Sequence, residues 1–104
     1  MILMSDETYV VTIQKDLEDL VPTFMSNRAK EVEALRAALD KGDMEKLRQL
    51  GHRMKGVGTS YGFEKVSALG KLIEDSARAI DKEALESCLA EYADYLAKVK
   101  VVYA

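Results

Sequence analysis

His52 is the only histidine of this chain, and Lys55 and Gly56 follow it at the third and fourth positions within HRMKGVGTSYG. On a helix those three residues share one face. An imidazole beside an ammonium group, with a side chain missing next to both, suits carrying an anion and handing it over. Each residue also has a plainer use. A lone histidine is often an ordinary surface residue, helical lysines are mostly just solvated, and a glycine close to a helix end can simply fray it. Gly56 tips the comparison. Glycine inside a helix costs roughly 1 kcal/mol against alanine, and on the His52 side nothing in this chain calls for smallness. A missing side chain there clears space for another protein to reach the imidazole. Lys55 could then meet a phosphoryl oxygen as a point charge.

Glu74 is the next candidate. With Ser67, Gly70, Lys71 and Arg78 it forms a polar flank on the following helix. Glu74 and Arg78 stand in the favourable i,i+4 order, and as a plain surface pair they contribute a few tenths of a kcal/mol. If the two helices run antiparallel, Glu74 comes near His52. A carboxylate accepting from Nδ1–H fixes the tautomer and leaves Nε2 with its lone pair, as a nucleophilic imidazole requires. Zinc is disfavoured by ligand count, since the chain has one histidine and one cysteine, on different helices.

The elements that position these residues read as helices throughout. Pro22 is the only proline, and the glycines at 42, 51, 56, 58, 62 and 70 separate long stretches of helical period. No stretch alternates over strand length and no hairpin signal flanks one, so the expectation is all-α. Ser5 or Asp6 is expected to cap a short N-terminal helix docked through Tyr9, Val10, Val11 and Ile13. Asp16 is expected to cap the next helix, with Pro22 early in it as a kink or restart. Val21, Met25, Val32, Leu35 and Leu39, with Leu20 and Phe24, form its apolar stripe, and Arg28, Lys30, Glu31, Glu33 and Arg36 its polar face. Gly42 suits a C-cap and Asp43 the following N-cap.

The helix carrying His52 is predicted over about 44–57. At ~100° per residue, Leu47, Leu50, Met54 and Val57 fall opposite His52, whereas Glu45, Arg48, Lys55, Gly56 and Thr59 lie within about 60° of it. Gly58, Ser60, Tyr61 and Gly62 read as the turn. A helix over about 63–80 follows, with Val66, Leu69, Ile73, Ala77 and Ile80 as its stripe. Asp81 caps the last helix, whose core residues are Leu85, Leu89, Tyr92, Leu96, Val99 and Val102, with Cys88 a small buried hydrophobe. Short connections make neighbours antiparallel. The predicted fold is an up-down-up-down four-helix bundle with a short extra N-terminal helix, a single domain over 1–104.

Composition narrows the function class. At 48 % hydrophobic and 32 % charged residues the chain suits a globular domain and not a disordered one. A net charge of −3 gives no reason to expect nucleic acid, which calls for a clustered basic surface. No apolar run approaches the roughly 18 residues of a membrane span. The opening MILMSDETYV has neither a basic n-region nor a long apolar stretch. The expected compartment is the cytoplasm.

HRMKGVGTSYG followed by ALGKLIE resembles the histidine-containing phosphotransfer (HPt) domain of two-component phosphorelays. The family pattern is a histidine, Lys-Gly at the third and fourth positions after it, and a glycine at the tenth: here His52, Lys55, Gly56 and Gly62. Upstream, LVPTFMSNRAKEVEALRAALDKGDMEKLRQLGHRMKG is similar to the family's second and third helices. The resemblance runs from about Asp16 to Ala104. It implies that His52 is the phosphoacceptor through Nε2, that Lys55 neutralises phosphoryl charge, that Gly56 leaves room for the partner and that Gly62 allows the tight turn. Glu74 matches the position that often holds Gln, and in some members Glu, bonded to the ring. Arg48, Gln49, Arg53, Gly56, Thr59 and Arg78 are the expected partner contacts. The family often has Leu where this chain has Met54, an exchange that conserves volume.

The resemblance also implies reversible transfer between a receiver-domain aspartate and His52, with Mg²⁺ supplied by the receiver and no cofactor held by this chain. The partners would be receiver domains of response regulators and hybrid histidine kinases, and the chain a monomeric phosphoryl carrier. The sequence holds no Walker-type or kinase-like glycine loop, so neither ATP binding nor autophosphorylation is expected. Two other readings stand beside this one. The segment could be the phosphoacceptor domain of a hybrid or chemotaxis-type kinase, although a start at Met1 leads us to expect a stand-alone protein. Or it could be a helical adaptor that works without phosphorylation.

Overall fold

The computed structural model describes residues 9–104. Four helices make up most of it: α1 Val21–Lys41, α2 Met44–Tyr61, α3 Glu64–Arg78 and α4 Lys82–Lys98. Their ends follow local chemistry. Pro22 sits in the first turn of α1, where its missing N–H costs nothing, so it marks the start of the helix. Gly42 closes α1 at φ 69° and Gly62 closes α2 at φ 86°, left-handed conformations that favour glycine. Asp43 and Asp81 cap α2 and α4 by accepting from Lys46 N (3.0 Å) and Ala84 N (3.1 Å). At the end of α3 the left-handed residue is Ile80, at φ 54°.

Two strands depart from the all-α expectation: β1 Tyr9–Ile13 lies in place of residues expected in the N-terminal helix, and β2 Val99–Tyr103 in place of the expected continuation of the last helix. They pair in parallel with Tyr9 opposite Val99 and Ile13 opposite Tyr103. Parallel strands need a long crossover, and here the whole helical domain provides it. Both segments are rich in β-branched and aromatic residues. Tyr9, Val11 and Ile13 face inward, while Val10 stays exposed. Helical spacing carried through Val99 and Val102 overran the true end of α4, and Val102 is exposed. A 3₁₀ turn, Lys15–Leu20, takes the place of the helix start expected at Asp16, with Gln14 before it. The expected caps Ser5 and Asp6 lie outside the described residues.

The core is built from Phe24, Leu35, Leu47, Leu50, Met54, Phe63, Val66, Leu69, Ile73, Leu85, Leu89, Tyr92 and Tyr95, with Ile13 from β1, and Cys88 is buried beside it. Leu20 and Ile80, expected in apolar stripes, are exposed. Two residues assigned to the polar face of α1 are in fact buried. Arg28 Nε lies 3.0 Å from Glu31 Oε1, and the Tyr92 hydroxyl donates to the same oxygen at 2.8 Å. Burial outweighs both partners and raises the Glu31 carboxyl above its ordinary value. Burial and the Glu31 charge raise the Tyr92 phenol in turn.

Candidate functional site

The site depends on how closely α2 and α3, the most extensively packed pair, approach each other. A Cβ on Gly70 would stand 2.6 Å from Gly51 O and Lys55 N. One on Gly51 would meet Glu74 N and Gly70 O at 2.7 Å, and one on Gly58 would meet Ser67 N at 2.5 Å. These three glycines let the backbones touch. Along the seam Gly58 meets Ser67, and Gly51 meets Gly70 and Glu74. Gly58 therefore lies inside α2, not in the turn, and the helix continues four residues past Val57 to Tyr61. Ser67 Oγ ties the pair further by donating to Lys55 O at 2.8 Å, and Thr59 Oγ1 bonds both that carbonyl (3.2 Å) and Ser67 Oγ (3.0 Å).

Close approach brings His52 and Lys55 of α2 onto a carboxylate of α3 that Arg78 of the same helix also reaches. His52 Nδ1 lies 3.1 Å from Glu74 Oε2, Lys55 Nζ 3.2 Å from Oε1, and Arg78 Nη2 3.3 Å from Oε2. The Glu74 side chain is 4 % exposed, yet the His52 side chain is 66 % exposed. Burial pushes the Glu74 carboxyl up, but the Lys55 hydrogen bond and charge, together with His52, hold it below its ordinary 4.5. Glu74 is thus a buried carboxylate kept ionised by its partners, and not the exposed half of a surface pair. Nδ1–H donating to Oε2 leaves the lone pair on Nε2, which has no partner among the described residues.

The remaining candidates fall into distinct places. Gly56 is exposed next to Lys55, with nothing within 4 Å of its missing side chain. Arg48 and Gln49 both bond Glu45 one turn before His52. Arg53, also exposed, faces the other flank, close enough to Glu31 to act on its charge. Thr59 binds within the α2–α3 seam, and Gly62 caps α2 against Ile13. Sequence reasoning passed over Gly51, Gly58, Gly70 and Ser67 as positioning residues. Their signal was small residues seven apart on α2 and three apart on α3, away from the His52 face. Among the described residues no group of three or more His, Cys, Asp or Glu side chains could hold a metal ion, and no helix is long and apolar enough to cross a membrane.

An exposed imidazole oriented by a buried carboxylate, with a lysine on the same carboxylate and open space beside it, is the arrangement expected for the HPt pattern. No curated protein and no solved structure matches the chain. The family model described as the Hpt domain matches residues 19–100, a span that takes in all four helices and the whole site. The chain therefore belongs to the Hpt domain family, the phosphocarrier modules of histidine phosphotransfer in phosphorelays.

Proposed function

We propose that this protein, as an antiparallel four-helix bundle, carries a phosphoryl group on His52 to and from receiver-domain aspartates. The single observation that carries the reading is the 3.1 Å contact between His52 Nδ1 and a buried Glu74 carboxylate beneath an exposed ring. In the transfer, the Nε2 lone pair forms the N–P bond. The P–O bond to the aspartate breaks, and its electron pair stays on the departing carboxylate. Nδ1 keeps its proton, so the phosphorylated ring is cationic and Glu74 balances it. The transition state is loose, so positioning and charge neutralisation carry most of the catalysis. Lys55 supplies one positive charge, and the receiver supplies Mg²⁺ and the aspartate. Gly56 gives the receiver room, and Arg48, Gln49, Arg53 and Thr59 border its docking face.

The test is incubation with a phosphorylated receiver domain, followed by mapping of the label. The normal protein gains one phosphate that is lost in acid and survives mild base, as a P–N bond does. His52→Gln accepts none and stays folded, since an exposed residue opposite the core costs within ~0.5 kcal/mol. Full acceptance by the variant sinks the assignment. Binding of a receiver without any transfer supports the adaptor reading instead.

A further inference from the structure

We propose that Arg78 is a positioning residue that acts through Glu74: it stays on the carboxylate as its counter-charge while Lys55 leaves for the phosphoryl group. This rests on His52 being the phosphoacceptor. Before transfer, Lys55 is already engaged, with Nζ on Glu74 Oε1 at 3.2 Å. It must give up or share that contact to neutralise a phosphoryl group on Nε2. Its ammonium ends a flexible four-carbon stem and the side chain is 40 % exposed, so it can swing. Glu74, at 4 % exposure, cannot turn to water for compensation. A carboxylate buried without a cation is costly, and as the N–P bond forms it must stay ionised to hold the cationic ring.

Arg78 meets that need. Its Nη2 lies on Oε2, the same oxygen that accepts from His52, so its charge sits where the ring is held and not where Lys55 departs. It stands one turn after Glu74 on the same helix, so the pair survives small movements of α2. A cation in the last turn of α3 is also favoured by the helix dipole. Lys55 and Arg78 thus divide the labour: one cation is mobile between two anions, and the other is resident on one.

Phosphoramidate separates this role from receiver docking, because it is too small to need a docking face. It donates its phosphoryl group to Nε2 as its P–N bond breaks and ammonia leaves. With the normal protein, His52 becomes phosphorylated and the Lys55 ammonium ¹⁵N signal shifts as its partner changes. Arg78→Ala slows acceptance about tenfold, the loss of one charge-assisted bond. Arg78→Lys restores most of the rate, and in a Glu74→Gln background Arg78→Ala has no further effect. Failure of the normal protein to accept phosphate from either donor overturns the phosphoacceptor reading itself. With His52 phosphorylated, any of three results overturns the role of Arg78 alone: an unchanged Arg78→Ala rate, a loss that persists in Glu74→Gln, or a Lys55 signal that does not move. A loss seen only with a receiver as donor overturns it too, since Arg78 would then be a docking contact.

Discussion

Replacing Gly70 by alanine should damage this protein, while the same change at Gly56 should not, although both are helical glycines, Gly56 on the helix of His52 and Gly70 on the helix packed against it. A Cβ on Gly70 would stand 2.6 Å from Gly51 O and Lys55 N and 2.7 Å from Met54 Cβ. Two of those three atoms are backbone, so no side-chain rotation relieves the clash. Reaching about 3.5 Å, the near edge of the carbon contact optimum, requires α2 and α3 to part by about 0.9 Å. Overpacking of this kind costs about 1–3 kcal/mol, offset by up to ~1 kcal/mol of helix propensity. The expected net loss is about 1–2 kcal/mol, a fall in thermal midpoint of roughly 5–15 °C for a domain of this size. The parting also stretches both contacts that cross the seam, His52–Glu74 at 3.1 Å and Lys55–Glu74 at 3.2 Å, beyond hydrogen-bond range. Phosphate acceptance should fall with them. At Gly56 nothing lies within 4 Å of the added carbon, so alanine there stabilises by up to ~1 kcal/mol. Thermal melts of the two variants check the pair. A Gly70→Ala protein as stable as Gly56→Ala would refute the argument that backbone contact at the seam builds the site.

Gly56→Gln should melt near the normal temperature yet take phosphate from a receiver more slowly, while its uptake from phosphoramidate is unchanged; equal receiver rates would show that the open space is not used for docking. Glu74 titrates below its ordinary 4.5 in the folded state, so it adds stability above that value, which is lost as pH falls through the folded one. Urea midpoints measured from pH 3 to 7 should therefore fall less steeply on the acid side for Glu74→Gln, and parallel curves would contradict this. Glu31→Ala should cost about 3 kcal/mol by chemical denaturation, because the Arg28 charge loses its counter-ion and the Tyr92 hydroxyl its acceptor in a buried place; a loss under ~1 kcal/mol would mean that water reaches the pair. Ile80→Gly should raise stability by about 1 kcal/mol, because a β-branched residue at φ 54° is strained and this side chain is mostly exposed; a lower melting temperature would assign the side chain a packing role.

What the sequence determined by itself was local. Gly42, Asp43, Gly62 and Asp81 mark helix ends because capping is decided within a few residues. Leu47, Leu50 and Met54 fall opposite His52 because helical period is an angle per residue. The order His52, Lys55, Gly56 puts the three residues on one face for the same reason. Tertiary structure decided everything that depended on distance between elements. Whether Glu74 lies beside His52 turns on Gly51, Gly58 and Gly70, whose smallness has meaning only once two backbones touch. The parallel pairing of Tyr9–Ile13 with Val99–Tyr103 joins segments almost a chain length apart, with no hairpin to announce it, and helical spacing read the second strand as more helix. Arg28 and Glu31 looked solvated because charge is the usual mark of an exposed face. They are buried because the Arg28 charge lies against Glu31, whose carboxylate also accepts from Tyr92 of another helix, and no single stretch of sequence records that pairing.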